Sequence, residues 1–578
     1  MPSTPTRLEL ALTLALLSLS GCHDRLYPPI GSVRDVPPQR GGTLTLATFV
    51  HVRSIDPAVA FDEGSEPIVR LIFARLFRIS RDGSFEGDLV RAYHFSPDGL
   101  ELRLELRQDA RFQDGTPVSA QDVKRSLQRA LHPDTPCPVP SFYDRIVGYD
   151  AFRKGEAQEL TGIVVVSEHH LNLRLREPDT TFPAVLTLPV ASPVCPSAGD
   201  SYNPAFSLHA CGAGPFRLSR WDGQEALHLQ RFDAYHEAGQ VHLNGIRLLF
   251  GVQTASQRFR FEQGDIDIAH ELSAADSVAF RADPSWQPFG AWNRPRSTRG
   301  FFMNATQPPF DRVEVRRAAA SAIDRNAVAS LRAGHLVPAN QMVPAGVVGH
   351  NPDFAGQRFD YARALQLMRD AGFAYDPATD TGGYPHPIDY IVPVESGDLH
   401  VAELFQQQLR RIGLRIRLKT MSWTASLAMV GRRGAAKMGG DGWSADFDHP
   451  SDFFDPIFSS AAIQNEESQN HAFFSNAELD SVLARARREL VPAQRSALYQ
   501  RAEQIIRDQA PWAIVYGYRY YDVWQPYVRG FRPHPHAFLH VANVWLDQQV
   551  KTLSVRSGSA PPGSLNALAF DLRRSTPR

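Results

Sequence analysis

"PIDYIVPVESGDLHVAELFQQQLRRIGLRIRLKT" spans residues 387–420 and decides the fold class. Ile388, Tyr390, Val392 and Val394 fall on alternate positions, the two-residue period of a strand. Val401, Leu404, Phe405, Leu409 and Ile412 then recur at helical spacing, and Gly413 supplies the stop. Residues 414–420 alternate again, so the unit reads strand, helix, strand. Such a unit sets its strands parallel through a right-handed crossover. In open α/β sheets of this kind, ligands bind beyond the carboxyl ends of the strands.

About twenty residues after Thr420 comes "MGGDGWSADFDHP" (438–450), with three glycines, three aspartates and a tryptophan. By themselves Asp441, Asp446 and Asp448 read as turn or capping residues, or as a carboxylate pair working in a cleft. Trp443 alone reads as a core aromatic.

The chain has 578 residues and 64.3 kDa, more than one hydrophobic core usually supports, so two or more lobes are expected. A net charge of −1 with scattered basic residues gives no field for nucleic acid or an anionic membrane surface. At the N-terminus, Arg7 precedes an apolar run from Leu10 to Leu19, too short to span a bilayer and suited to a secretory signal. Residues 23–40 are rich in proline and polar groups and read as a tether. Export implies an oxidising compartment, and Cys195 and Cys211, both in a Pro/Gly-rich stretch, are the favoured bridge.

Strand-like alternation recurs at 41–49, 100–107, 163–166 and 171–177, which makes residues 80–180 a β-rich module. Ser119 is the expected N-cap of a helix there, with Asp122 in its first turn. Further amphipathic helices are expected at 314–333 and 478–509, and the segment after Val550 is expected to be mobile.

No nucleophile elbow, phosphate loop or dinucleotide fingerprint is present, so no cofactor is expected. The histidines of "HEAGQVH" (236–242) are six apart and fall on different helix faces, which does not suit a metal. His534, His536 and His540 lie between prolines and read as a surface cluster on an extended loop; His169 and His170 read as neighbours in a strand.

Five segments in order resemble the peptide/nickel-type solute-binding proteins of bacterial ABC transporters: "ARFQDGTPVSAQDVKRSL" (110–127), "GAGPFRLSRWDGQEALHLQRFDAYH" (212–236), "VRRAAASAIDRNAV" (315–328) behind "FFMN" (301–304), "FDYARALQLMRDAGF" (359–373) and "GWSADFDHP" (442–450). "LSGC" (19–22) resembles a lipoprotein signal, with cleavage after Gly21 and lipid on Cys22.

The resemblance implies an α/β, two-lobe periplasmic-binding-protein fold. Its first lobe would comprise 41–79, an inserted β-rich subdomain at 80–204, residues 205–295 and a return at 515–550. The hinge-linked second lobe would comprise 296–514. It implies a protein of the periplasm or cell envelope, held to a membrane only by lipid, monomeric, and delivering a peptide-like ligand to an ABC permease without turning it over. In peptide-binding members an aspartate matching Asp446 receives the ligand's ammonium, the backbone of Gly442, Trp443 and Ser444 pairs with the ligand as an added strand, and Trp423 borders the cavity. Glycines 439, 440 and 442 would then allow close approach and unusual φ angles. Ser444 stands where oligopeptide binders have a cysteine, and Gly440 where they have an arginine. With Asp441 beside it, that leaves room for a more cationic ligand, or for a nickel chelate, haem, an opine or a sugar. The reading from another class is a secreted hydrolase using Asp441 and Asp446.

Overall fold

The computed structural model describes residues 36–557 apart from 63, 81–84, 395–397 and 535–540. The signal segment, Cys22, most of the tether, His536 and His540 lie outside the described residues.

Two large sheets organise the chain. The first has seven strands in the order Gly290–Trp292, Tyr521–Trp524, Ile268–Ala269, Thr43–Ala47, Gly245–Leu249, Ala226–Arg231 and Phe216–Trp221. The second has six: Leu336–Pro338, Trp512–Tyr518, Ser297–Met303, Met438–Ser444, Ile388–Pro393 and Ile416–Met421. Period-two alternation gives the second sheet two apolar faces. Phe301 and Tyr390 enter one core, while the adjacent Phe302 and Ile391 enter the other. The strands Ile388–Pro393 and Ile416–Met421 pair in parallel, as the strand–helix–strand reading requires. The helix Leu399–Arg410 covers the first face between them.

A third sheet of four strands, Val90–Phe95, Glu101–Leu106, His170–Arg174 and Ile163–Ser167, carries the β-rich module. His169 sits in the turn before its strand rather than within it, so the two histidines are not a strand pair. The helix Ala120–Leu131 packs beside this sheet. Ser119 Oγ accepts the Asp122 N–H at 3.3 Å and Asp122 Oδ2 accepts the Ser119 N–H at 3.1 Å, a reciprocal cap. From the same helix Arg129 reaches Asp56 with two bonds of 3.0 and 2.6 Å, both side chains buried. Cys195 and Cys211 are joined in a disulfide, and Cys137 is a buried free thiol.

The chain crosses between the two large sheets twice, at 293–296 and 519–520. The second sheet holds the chain through Tyr518, so the return expected at 515 falls four residues later. The crossings are tied to each other: Asn293 N–H donates to Tyr520 O at 3.0 Å, and Tyr520 N–H to Asn293 Oδ1 at 2.7 Å.

Three expectations are corrected. The helix expected at 314–333 is two, Val313–Ala322 and Arg325–Ser330, because Ile323 turns extended and Asp324 caps the second helix from the Asn326 and Ala327 N–H groups. The one expected at 478–509 is Ala477–Arg488 and Pro492–Gln509, since Pro492 suits a first helical position and forces the preceding residue out of the helix. The segment expected to be mobile from Lys551 begins as the end of a helix, Gln548–Ser557, whose Lys551 Nζ bonds Asp267 Oδ1 at 3.0 Å and lies over the Tyr527 ring, while its residues 558–578 lie outside the described residues. Tertiary docking, not internal periodicity, orders it.

Candidate ligand-binding cleft

Between the two large sheets lies a cleft of about 700 Å³. Glu66 and Arg70, one turn apart on the helix Glu66–Ile72, line its first-lobe wall with His270 and Glu271. Arg296, Arg299 and residues 444–446 line the opposite wall. Its cations are Arg70, Arg294, Arg296, Arg299 and Arg332. Its carboxylates are Asp62, Glu66, Glu271, Asp398 and Asp446, so the lining is close to balanced in charge.

Asp446 sits on the loop that follows the strand Met438–Ser444. Its backbone N–H donates to Asp452 Oδ2 at 2.7 Å. Asp452 is buried in the first turn of the helix Ser451–Phe458, so a helix start holds the loop that carries Asp446. Burial pushes the Asp446 carboxyl up to about 7, against the pull of the Arg296 guanidinium. Asp452 is raised well above the usual carboxylate range, first by burial and then by the neighbouring Asp446 charge. Burial also pushes Asp448 up to about 6, although Arg296 stands 3.6 Å away. Arg296 is fixed in turn by the Ala445 carbonyl at 2.8 Å. The result is a cleft carboxyl poised near neutrality, which an arriving cation would drive to its charged form.

The strand beside it presents an open edge. All of Met438–Ser444 pairs with Ser297–Met303, but Ile388–Pro393 reaches only Met438 and Gly439. Beyond that pairing, alternation turns the main-chain groups of Gly442 and Ser444 toward a side with no strand partner among the described residues. The Gly442 N–H donates to Asp441 Oδ1 at 2.8 Å, and Asp441 Oδ2 accepts from His471 Nδ1 at 2.6 Å. Burial works against the charged His471 ring, and the Asp441 charge and hydrogen bond overcome it, leaving its pKa raised.

Glycines 439, 440 and 442 do not take positive φ, so the expectation of unusual backbone angles there is corrected. What they supply is space. A Cβ on Gly442 would fall 2.6 Å from Arg299 Cγ, and one on Gly439 2.9 Å from the Phe302 ring.

The predicted residues do not all meet. Asp446, Ser444 and Trp423 line the cleft, and Trp423 is 49% exposed. Gly442 lines an adjoining chamber that shares Trp423 and Ser444 with the cleft. Trp443 turns away and packs on the core containing Phe302. Asp441 lines the adjoining chamber with His471, while Asp446 lines the cleft. The true partner of Asp446 is Asp452.

His534, expected on the surface, is buried and borders the cleft; its flanking prolines gave no sign of that. Sequence reasoning also missed Arg296, Arg299, Arg332 and Asp398. Their charges scatter through the chain without spacing that marks a site, and only the crossing between sheets gathers them.

Residues 84–465 match the family model described as bacterial extracellular solute-binding proteins, family 5 middle. The chain belongs to this family. This solute-binding protein is 26% identical over 486 residues to the glutathione-binding protein GsiB of Salmonella typhi, covering 83% of the chain and 90% of GsiB. Among solved structures it resembles the murein tripeptide-binding protein MppA in its unliganded open form, with a TM-score of 0.75 and 22% identity over 90% of this chain and 98% of that one. It also resembles Helicobacter pylori DppA in complex with the peptide STSA, with a TM-score of 0.70 and 20% identity over 88% and 98%. These likenesses establish the periplasmic binding-protein fold, and the relatives are themselves binding proteins by name.

Proposed function

We propose that this family 5 protein captures peptide-like zwitterions between its two lobes and presents them to an ABC importer, anchored to a membrane of the cell envelope through lipid on Cys22. One observation carries the ligand reading. A carboxyl poised near neutrality, Asp446, lines a roomy cleft beside a strand whose outer edge is open from Gly442 to Ser444. An ammonium at Asp446 completes its ionisation, and an extended backbone along the edge gains main-chain hydrogen bonds that ignore side-chain identity. The balanced charge of the cleft suits a zwitterion. Arg299, opposite Gly442 in the sheet register, is the cation we assign to the ligand's carboxylate. The names of GsiB, MppA and DppA agree in ligand chemistry.

Closure follows the two crossings at 293–296 and 519–520. Phe447, next to Asp446, is buried in the core of the inserted subdomain and meets the Phe142 ring edge-on at 5.7 Å. Thr180 of that subdomain donates its N–H to Arg487 O at 2.8 Å. A ligand held at Asp446 thus sits beside the contact that brings the lobes together. We assign no turnover: the relatives named above are binding proteins, and Asp441 and Asp446 line different chambers.

Native mass spectrometry of protein purified without denaturation tests this reading. It predicts co-purified species with the masses of small peptides or peptide conjugates, lost after unfolding and refolding. A co-purified metal chelate, haem or sugar would overturn it.

A further inference from the structure

Within the first lobe, behind the cleft, lies a smaller cavity of about 120 Å³. Arg70 and His534 line both spaces and stand between them. Three arginines from one stretch of chain line this cavity: Arg70 on the helix Glu66–Ile72, Arg75 in the link that follows it and Arg78 on the strand Phe77–Ile79.

Two of the three are matched by carboxylates. Arg70 pairs with Glu66, one turn back on its helix. Arg78 donates to the two oxygens of Glu237 at 2.6 and 3.1 Å, and its Nε to Glu86 at 3.1 Å. Arg75 has no such match among the described residues. Its Nη1 donates to the Thr187 carbonyl at 3.0 Å, its Nε has no hydrogen-bond partner, and only 7% of the residue is exposed. Asp88 also lines the cavity, but its carboxylate is engaged elsewhere. Oδ2 accepts the Arg75 backbone N–H at 2.8 Å, and Oδ1 bonds His236 Nε2 at 3.1 Å. Burial pushes the Arg75 guanidinium down to about 9; the Arg70 charge adds to the fall, and the Glu66 and Asp88 charges oppose it. A guanidinium shut away from water carries its desolvation cost until an anion within hydrogen-bond reach offsets it.

The room and the donors suit one kind of anion. Liquid water takes about 30 Å³ per molecule, so the cavity holds on the order of four or five heavy atoms, the size of a tetrahedral oxyanion. The planar fork of a guanidinium meets two oxygens of such an ion at once. Tyr235 and Gln240, whose side chains can donate hydrogen bonds, line the same space. A ligand in the cleft has cations of its own: Arg294, Arg296, Arg299 and Arg332 line the cleft and not this cavity.

We propose that the cavity binds a free tetrahedral oxyanion, phosphate or sulfate, held by Arg75 with Arg70 beside it and separate from the ligand in the cleft.

Isothermal titration of the full chain with sodium phosphate, in chloride buffer of fixed ionic strength, tests this on the parent, Arg75→Met and Gln240→Glu. The parent should bind one phosphate with a Kd of about 1 mM or tighter, and sulfate should compete. Arg75→Met should weaken binding by about tenfold or more. Gln240→Glu sets a repelling carboxylate at an exposed position and should weaken it by about threefold or more, which keeps the test sharp if Arg75→Met folds badly. The other source of an anion is the cleft ligand's own side chain. Titrations with Ala-Glu-Ala and Ala-Gln-Ala in phosphate-free buffer separate it, and their affinity ratio should be the same in the parent and Arg75→Met. No phosphate binding by the parent, undiminished binding in a folded variant, or a preference for Ala-Glu-Ala that disappears in Arg75→Met would each overturn the proposal.

Discussion

The Asp446 N–H donates to Asp452 Oδ2 at 2.7 Å, so the residue we propose for the ligand's ammonium is oriented by a buried acid of its own kind. The pair titrates as a unit, and burial favours its protonated forms. A ligand ammonium lowers the Asp446 pKa in the complex, so binding releases a proton whenever the free carboxyl is protonated. Affinity for a free-amine tripeptide should therefore rise as pH climbs from about 5 to 7, by up to tenfold per unit, and level off above that. Calorimetry in buffers of different ionisation enthalpy reads the proton directly. A flat profile over that range would contradict the assignment.

The same shifts act on stability. A carboxyl whose folded pKa lies above its unfolded value loses stability for the native state as pH rises from about 4 through the folded pKa. Replacing Asp452 by Asn removes one such group while keeping one acceptor for the 446–447 backbone. Thermal melts of the unliganded protein should show a smaller fall between pH 5 and pH 8 for Asp452→Asn than for the parent. An equal or steeper fall would count against a raised Asp452.

Phe447 ties the loop that carries Asp446 to the core of the β-rich module. Phe447→Ala should weaken ligand binding by about tenfold or more and shift small-angle scattering of the liganded protein toward a larger radius of gyration, since closure loses a buried aromatic contact. Unchanged scattering and affinity would remove Phe447 from the closing mechanism.

Two structural links fall outside the cleft. Arg129→Ala strands the buried Asp56 carboxylate and should cost about 3–5 kcal/mol by denaturant unfolding. Reduction of Cys195–Cys211 opens a loop of sequence separation 16 and should cost about 3 kcal/mol, read as a lower melting temperature in reductant.

The sequence made the parallel unit at 387–420 legible because period two and period 3.6 follow one another without interruption, and the neighbouring strands confirm it. The strand Met438–Ser444 was legible only through its resemblance, since glycines carry no apolar period. What its partners leave open could not be read at all: the free edge exists because pairing with Ile388–Pro393 stops at Ile391 and Gly439, although that strand runs on to Pro393. The cleft's other wall was equally hidden. Glu66, Arg70, His270 and Glu271 come from a helix and a turn far apart in the chain, and His534 from a proline-rich loop, so no local pattern joins them. Tertiary docking likewise ordered Gln548–Ser557 where periodicity predicted nothing.

The central claim is that Asp446 receives the ligand's free ammonium. Isothermal titration of the parent and Asp446→Asn with a tripeptide and its N-acetylated form tests it most directly. The account predicts that acetylation weakens binding to the parent by about a hundredfold or more, and that Asp446→Asn, still folded, binds both forms equally weakly. Equal affinity of the parent for the two peptides, or an Asp446→Asn protein that still prefers the free amine, would contradict it.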